Sequence, residues 1–124
     1  RREDARIARN GPPRAPRRAP LSRAGAPHVL HLYAYPSPNG LKITIMLAEC
    51  ELPFTYHFVD ITRGAQFDPE FLKISPNNKI PAFVDDAPAA GGGPLALFES
   101  GAILQYLAEL TGNFLPREPH ARYR

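Results

Sequence analysis

Between His28 and Gly112 the apolar positions follow two rhythms, and each change of rhythm marks an element. His28-Val29-Leu30-His31-Leu32-Tyr33-Ala34-Tyr35 is short, aromatic and partly β-branched, and Pro36 stops it, so it predicts a strand. Ser37-Pro38-Asn39-Gly40 is a turn. Ile43, Met46, Leu47 and Cys50 then recur at the spacing of an amphipathic helix that ends before Pro53. Phe54 to Val59 alternates and predicts a second strand, followed by a polar stretch from Asp60 to Gln66. Asp68-Pro69-Glu70 has the acidic cap and first-turn proline of a helix start, with Phe71, Leu72 and Ile74 directed to a core.

Ser75-Pro76-Asn77-Asn78-Lys79 is a turn cluster before a third strand, Ile80 to Val84. Pro81 is awkward there because it removes a ladder donor. A loop from Asp85-Asp86 to Gly91-Gly92-Gly93-Pro94 leads to a fourth strand, Leu95 to Phe98. Glu99-Ser100 opens a last helix with Ile103, Tyr106, Leu107 and Leu110 on one side, and Gly112 ends it. The order β-α-β-α-β-β-α is that of an α/β domain. Its first crossover makes a parallel, right-handed unit and its short later link an antiparallel pair. The expected fold is a four-stranded mixed sheet of the thioredoxin type over residues 28–116. Residues 117–124 are expected to begin a further, helical domain.

Composition divides the chain in two. Eight of the 15 Lys+Arg residues lie in residues 1–27 against Glu3 and Asp4, so this tail carries +6 and the rest −3 of the net +3. Five of the 15 prolines fall there too, and Ile7 and Leu21 are its only aliphatic side chains larger than Ala. So little apolar area cannot offset the ordering entropy, and disorder is expected. An arm for nucleic acid or an anionic membrane would use such arginines as phosphate contacts. A transit peptide would be richer in Ser, and Ser22 is alone; a secretory signal would need an apolar stretch. The plainer reading, adopted here, is a solvated tail or upstream sequence, with neither nucleic acid nor membrane as a partner. The first residue is Arg rather than Met, which reads as an incomplete or processed chain. No apolar run reaches the roughly 20 residues of a membrane-spanning helix. The single Cys50 excludes a disulfide framework within the chain and CxxC chemistry.

In an open α/β sheet, ligands bind at the carboxyl ends of strands and at helix starts. Three segments converge there: Ser37 to Asn39, Lys79-Ile80-Pro81, and Glu99-Ser100. Ser100 at a helix start suits a carboxylate and Glu99 an ammonium, so together they suit an amino-acid head group. The alternative is a cap by Ser100 with Glu99 solvated. A cis peptide at Ile80-Pro81 would free the Ile80 main chain for an extended peptide ligand, although only about 5% of X–Pro bonds are cis. Ser37 and Asn39 could donate to a thiolate or simply cap the helix. Cys50 reads as a core residue, because a helix C-terminus disfavours a thiolate. His28, His31 and His57 alternate with strand residues, His120 is near the end, and none has metal-ligand company. No metal is expected. Tyr33 and Tyr35 read as strand residues.

YPSPNGLKITIMLAE, VDITRGAQFDPEFLKISPNNKIPAFVD and LFESGAILQYLAELTG, in this order, resemble the N-terminal domain of cytosolic glutathione transferases. The likeness is to the nu-class group of bacterial glutathione-dependent disulfide-bond oxidoreductases, related to the yeast nitrogen regulator, and covers nearly all of residues 30–116. The resemblance implies glutathione as cosubstrate, cytoplasmic localisation and, at full length, a homodimer. It implies that Glu99 and Ser100 hold the γ-glutamyl group, that Ile80 before a cis Pro81 pairs with the glutathione cysteine, and that Gln66 reaches the glutathione backbone. Asn39 and Ser37 lie beside the sulfur; Ser37 is usually Thr in that group. Relatives of this type reduce disulfides without a protein cysteine, the thiols coming from two glutathiones, and the second substrate is a disulfide or electrophile. The resemblance implies that the helical domain lining that second pocket would begin just where this sequence stops, so Leu and Ile of the last helix are expected to be under-covered. A non-catalytic binding or regulatory domain and an inactive gene fragment stay open as alternatives.

Overall fold

The computed structural model describes residues 28–124, so the tail 1–27 expected to be disordered lies outside the described residues. Strands β1 (Leu30–Ala34), β2 (Thr55–Phe58), β3 (Ala82–Asp85) and β4 (Leu95–Phe98) form one mixed sheet in the order β2-β1-β3-β4. β1 and β2 are parallel, and β3 is antiparallel to both β1 and β4. The thioredoxin-like expectation therefore holds, including the crossover through α1 (Pro38–Glu49). Helices α2 (Pro69–Ile74), α3 (Ser100–Thr111) and the short α4 (Pro119–Arg122) complete the described residues.

Alternation in β1 assigns the two faces. Leu30, Leu32 and Ala34 are buried with Ile43 and Leu47 of α1, Phe83 of β3, and Ile103 and Leu107 of α3. The opposite face is a smaller cluster of Val59, Phe71 and Ala82, with Tyr33, Ile74 and Ile80 packed on it. Gly40 is required where α1 meets the sheet, since a Cβ there would stand 2.7 Å from the Tyr35 carbonyl oxygen. Gly112 ends α3 in the left-handed conformation, as its position predicts.

Several boundaries differ from the sequence reading: β1 ends at Ala34, leaving Tyr35 outside the strand, α1 already begins at Pro38 within the expected turn, and β2 is Thr55–Phe58 rather than Phe54 to Val59. Three further differences have local reasons. β1 begins at Leu30 because the Val29 N–H donates to the Asp86 side chain at 2.8 Å, while His28 bonds Asp85. β3 runs from Ala82 to Asp85 rather than from Ile80, so the proline stands outside the ladder and Asp85, expected in a loop, is a fully buried strand residue. The polar segment after β2 folds into two 3-10 turns, Ile61–Arg63 and Ala65–Phe67, hinged on Gly64 at φ +81°. The expected under-covering of α3 holds only in part: Leu104 and Leu110 are half-buried. Ile103 and Leu107 are fully buried, and the exposed apolar side chains are instead Leu41 and Ile45 of α1, Tyr56 and Phe58 of β2, and Phe67, Phe98, Phe114 and Tyr123.

Candidate functional site at one end of the sheet

Strand register brings the predicted segments to one end of the sheet. Tyr33 pairs with Ala82, and Ala82 with Phe98. These three residues form one row, and neighbouring strands lie about 4.8 Å apart. Ser37 and Asn39 follow β1, Ile80-Pro81 precedes β3, and Glu99-Ser100 follows β4, so all leave the sheet from that row. β2 runs parallel to β1, with Phe58 opposite Ala34, and the turn bearing Gln66 continues from the same end.

Ser37 is the N-cap of α1, and its hydroxyl oxygen accepts from the Gly40 N–H at 3.1 Å. That bond uses a lone pair and leaves the hydroxyl proton for another acceptor. Asn39 is exposed in the first turn of α1; its Oδ1 accepts from Lys42 Nζ at 2.8 Å, which leaves the amide N–H groups unspent. The cap reading and the donor reading of this turn are thus compatible.

The Ile80-Pro81 peptide is cis, against the general frequency and in line with the resemblance. Pro81 is buried, Ile80 half-buried and Lys79 exposed. The Lys79 carbonyl accepts from the buried Ser75 hydroxyl at 2.8 Å. Gln66 is half-buried, and its Oε1 is shut away from solvent with no hydrogen-bond partner. A buried amide oxygen left unpaired costs about 1–3 kcal/mol, so this atom invites a donor.

At the head of α3 the simple cap is corrected. Glu99, not Ser100, occupies the N-cap, and no side chain caps the helix. Glu99 is exposed and takes φ +72°, a conformation that costs a non-glycine residue of order 1–3 kcal/mol. Its Oε1 accepts from Asn77 Nδ2 at 3.0 Å. Uncapped helical N–H groups beside a carboxylate can receive the carboxylate and ammonium of an amino-acid head group together.

Sequence reasoning missed Asn77 as anything beyond a turn residue. It also missed the far end of the sheet. There His28 Nε2 bonds Asp85 Oδ1, the Tyr106 hydroxyl donates to Asp85 Oδ2, and the Ala87 N–H donates to Oδ1 at 2.9 Å. Burial, then the bond and charge of Asp85, push the Tyr106 phenol well above its usual range. His28 therefore does have carboxylate company, since ligand atoms of His28, Asp85 and Asp86 lie within 4.8 Å of one another. The Asp85 oxygens are already engaged by donors, which describes a closed hydrogen-bond network. Likewise His31 Nδ1 lies 2.9 Å from His57 Nε2, and Tyr33 stacks on His57. Burial and the neighbouring His31 hold His57 below the usual imidazole range. Cys50 is buried, with its sulfur 3.6 Å from Thr111 Oγ1.

The glutathione S-transferase N-terminal domain model matches residues 28–109. The disulfide-bond oxidoreductase YfcG of Escherichia coli is 61% identical over 94 residues, which are 76% of this chain and 44% of that protein. A glutathione transferase family member from Pseudomonas fluorescens, solved with two glutathiones bound, superposes with TM-score 0.72 and 52% identity over 76% of this chain and 41% of that one. A Pseudomonas putida glutathione transferase, solved with one glutathione disulfide per subunit, gives TM-score 0.73 and 50% identity over 82% and 44%. The chain thus spans less than half the length of these proteins.

Proposed function

Since the chain belongs to the glutathione S-transferase family by its N-terminal domain, we propose that residues 28–116 bind glutathione and that residues 117–124 begin a helical domain. The parent activity is glutathione-dependent disulfide reduction. The observation that carries this is the single row Tyr33–Ala82–Phe98, from which Ser37 and Asn39, Ile80-Pro81 and Glu99-Ser100 all depart. The unpaired buried oxygen of Gln66 supports it. So does the bound ligand of the Pseudomonas relatives, which contains glutathione in both.

The Glu99 carboxylate receives the γ-glutamyl ammonium, while Ser100 and the first N–H groups of α3 receive its carboxylate. The Ile80 main chain pairs with the cysteinyl unit, and Lys79 and Gln66 hold the remaining backbone. The Ser37 hydroxyl and the Asn39 amide donate to the sulfur. Donors aimed at a thiolate favour it over the thiol, about 1.4 kcal/mol for each unit of lowered pKa. The thiolate attacks one sulfur of a bound disulfide. A sulfur–sulfur bond forms to glutathione, and the other half leaves as a thiolate that takes up a proton. A second glutathione thiolate attacks the glutathione sulfur of the mixed disulfide, giving glutathione disulfide and the second reduced thiol. No protein cysteine takes part, in keeping with the buried setting of Cys50. Reduced glutathione in quantity places this chemistry in a cytoplasm. None of the described helices is long and apolar enough to cross a membrane. The longer protein would present a homodimer and a second pocket for the disulfide or electrophile.

Disulfide exchange with a small disulfide, wild type against Asn39→Ala, tests the assignment. Loss of about tenfold or more in turnover at unchanged unfolding free energy is expected for one lost donor to the charged sulfur. Equal turnover would remove Asn39 from the mechanism.

A further inference from the structure

We infer that Asn77 is a positioning residue: it aims the Glu99 carboxylate and so sets a preference for ligands with a free α-amino group. This rests on the glutathione-binding proposal above.

The inference starts from Ser75, which is fully buried in the turn before β3. Its hydroxyl oxygen lies 2.8 Å from Asn77 Oδ1 and 2.8 Å from the Lys79 carbonyl oxygen, sharing one proton between them. Glu99 settles the orientation of the Asn77 amide, because an ionised carboxylate only accepts and so faces Nδ2. Nδ2 meets Glu99 Oε1 at 3.0 Å across 22 residues of chain. Oδ1 then faces the Ser75 hydroxyl, so both ends of the amide are matched.

Glu99 needs such a hold. It is exposed, and it stands on a left-handed backbone that no side-chain cap supports. A free glutamate there would sample many rotamers and lose that freedom on binding. The Asn77 amide fixes one oxygen through a charge-assisted bond and leaves Oε2 for a ligand cation. The same buried hydroxyl also fixes the Lys79 carbonyl, immediately before Ile80-Pro81. One atom thus ties the segment for the cysteinyl unit to the residue for the head-group ammonium. Ligand discrimination by a pre-oriented carboxylate is strongest against an analogue whose amine is blocked, because the carboxylate is then left unpaired.

Calorimetric titration of the whole chain with glutathione disulfide and with its N-acetylated analogue is the test. Wild type should favour the free amine by about tenfold or more, as expected for loss of a charged pair. Glu99→Ala should erase that preference. Asn77→Ala should cut it by about fivefold with no change in affinity for the N-acetylated ligand, and Ser75→Ala by less. Asn77→Leu, which keeps the bulk and removes the amide, should cut it as far as Asn77→Ala. Equal weakening of both ligands by Asn77→Ala would show a merely structural turn and overturn the inference, as would an unchanged preference. Should Asn77→Ala not fold, Ser75→Ala and Asn77→Leu carry the same comparison. An Asn77→Ala defect like that of Ser75→Ala but no preference lost in Glu99→Ala would instead overturn the head-group assignment itself.

Discussion

The two ends of the sheet both carry polar side chains, and they use them in opposite ways. At one end, in the row Leu30–Asp85–Leu95, the Asp85 carboxylate is buried and its oxygens are taken by His28, Tyr106 and the Ala87 N–H. At the other end, beyond the row Tyr33–Ala82–Phe98, donors and acceptors are left over: the Asn39 amide, the Gln66 oxygen, the uncapped start of α3. A closed network stiffens a fold, whereas an open one waits for a ligand. Acidic residues alone would not separate the two; what separates them is whether their partners belong to the protein.

The largest effect is expected at the closed end. Asp85→Ala leaves buried His28 and half-buried Tyr106 unpaired and should cost about 3 kcal/mol in denaturant unfolding, with unchanged glutathione affinity per folded molecule. An equal loss of ligand affinity would collapse the distinction between the ends. Glu99→Gly should do the reverse. It relieves the positive φ and should raise stability by about 1 kcal/mol while abolishing glutathione binding. A less stable variant that still binds would show that the strain serves something else.

The pH dependences sharpen the contrast further. Tyr106 has a raised pKa in the fold, so the unfolded chain loses its phenolic proton first as pH rises above about 10. The stability it contributes is present below that value and declines above it. Unfolding midpoints of Tyr106→Phe should therefore fall less steeply on going to high pH than those of wild type. The smallest effect belongs to the His31–His57 pair on the α2 face. His57 is depressed in the fold, so below about pH 6.5 the unfolded chain binds more protons and stability declines as pH falls. His57→Gln should flatten that decline, which a melting series from pH 7 to 5 would show.

Much of the fold is legible because its elements obey local rules. Ile43 and Leu47 repeat at helical spacing and are both fully buried in the core. Asp68 and Pro69 mark the start of α2, with Asp68 accepting from the Glu70 N–H at 2.8 Å. The segments of the candidate site are legible for a topological reason, since strand order alone sends Ser37, Pro81 and Glu99 to one end. What escaped depends on pairs distant in sequence. Asp85 reads as a loop acid until His28, 57 residues away, is placed against it. Asn77 reads as a turn residue until Glu99, 22 residues away, turns toward it. The positive φ of Glu99 has no signature in its residue type, because glutamate has no preference for that region.

Backbone amide shifts of the isotopically labelled chain, followed while glutathione disulfide is added to about 10 mM, test the division of the sheet most directly. Saturable shifts should gather at Ser37 to Gly40, Gln66, Asn77 to Ile80 and Glu99 to Gly101, while His28, Asp85 and Tyr106 stay still. Shifts centred on His28 and Asp85, or none at any concentration reached, would contradict it.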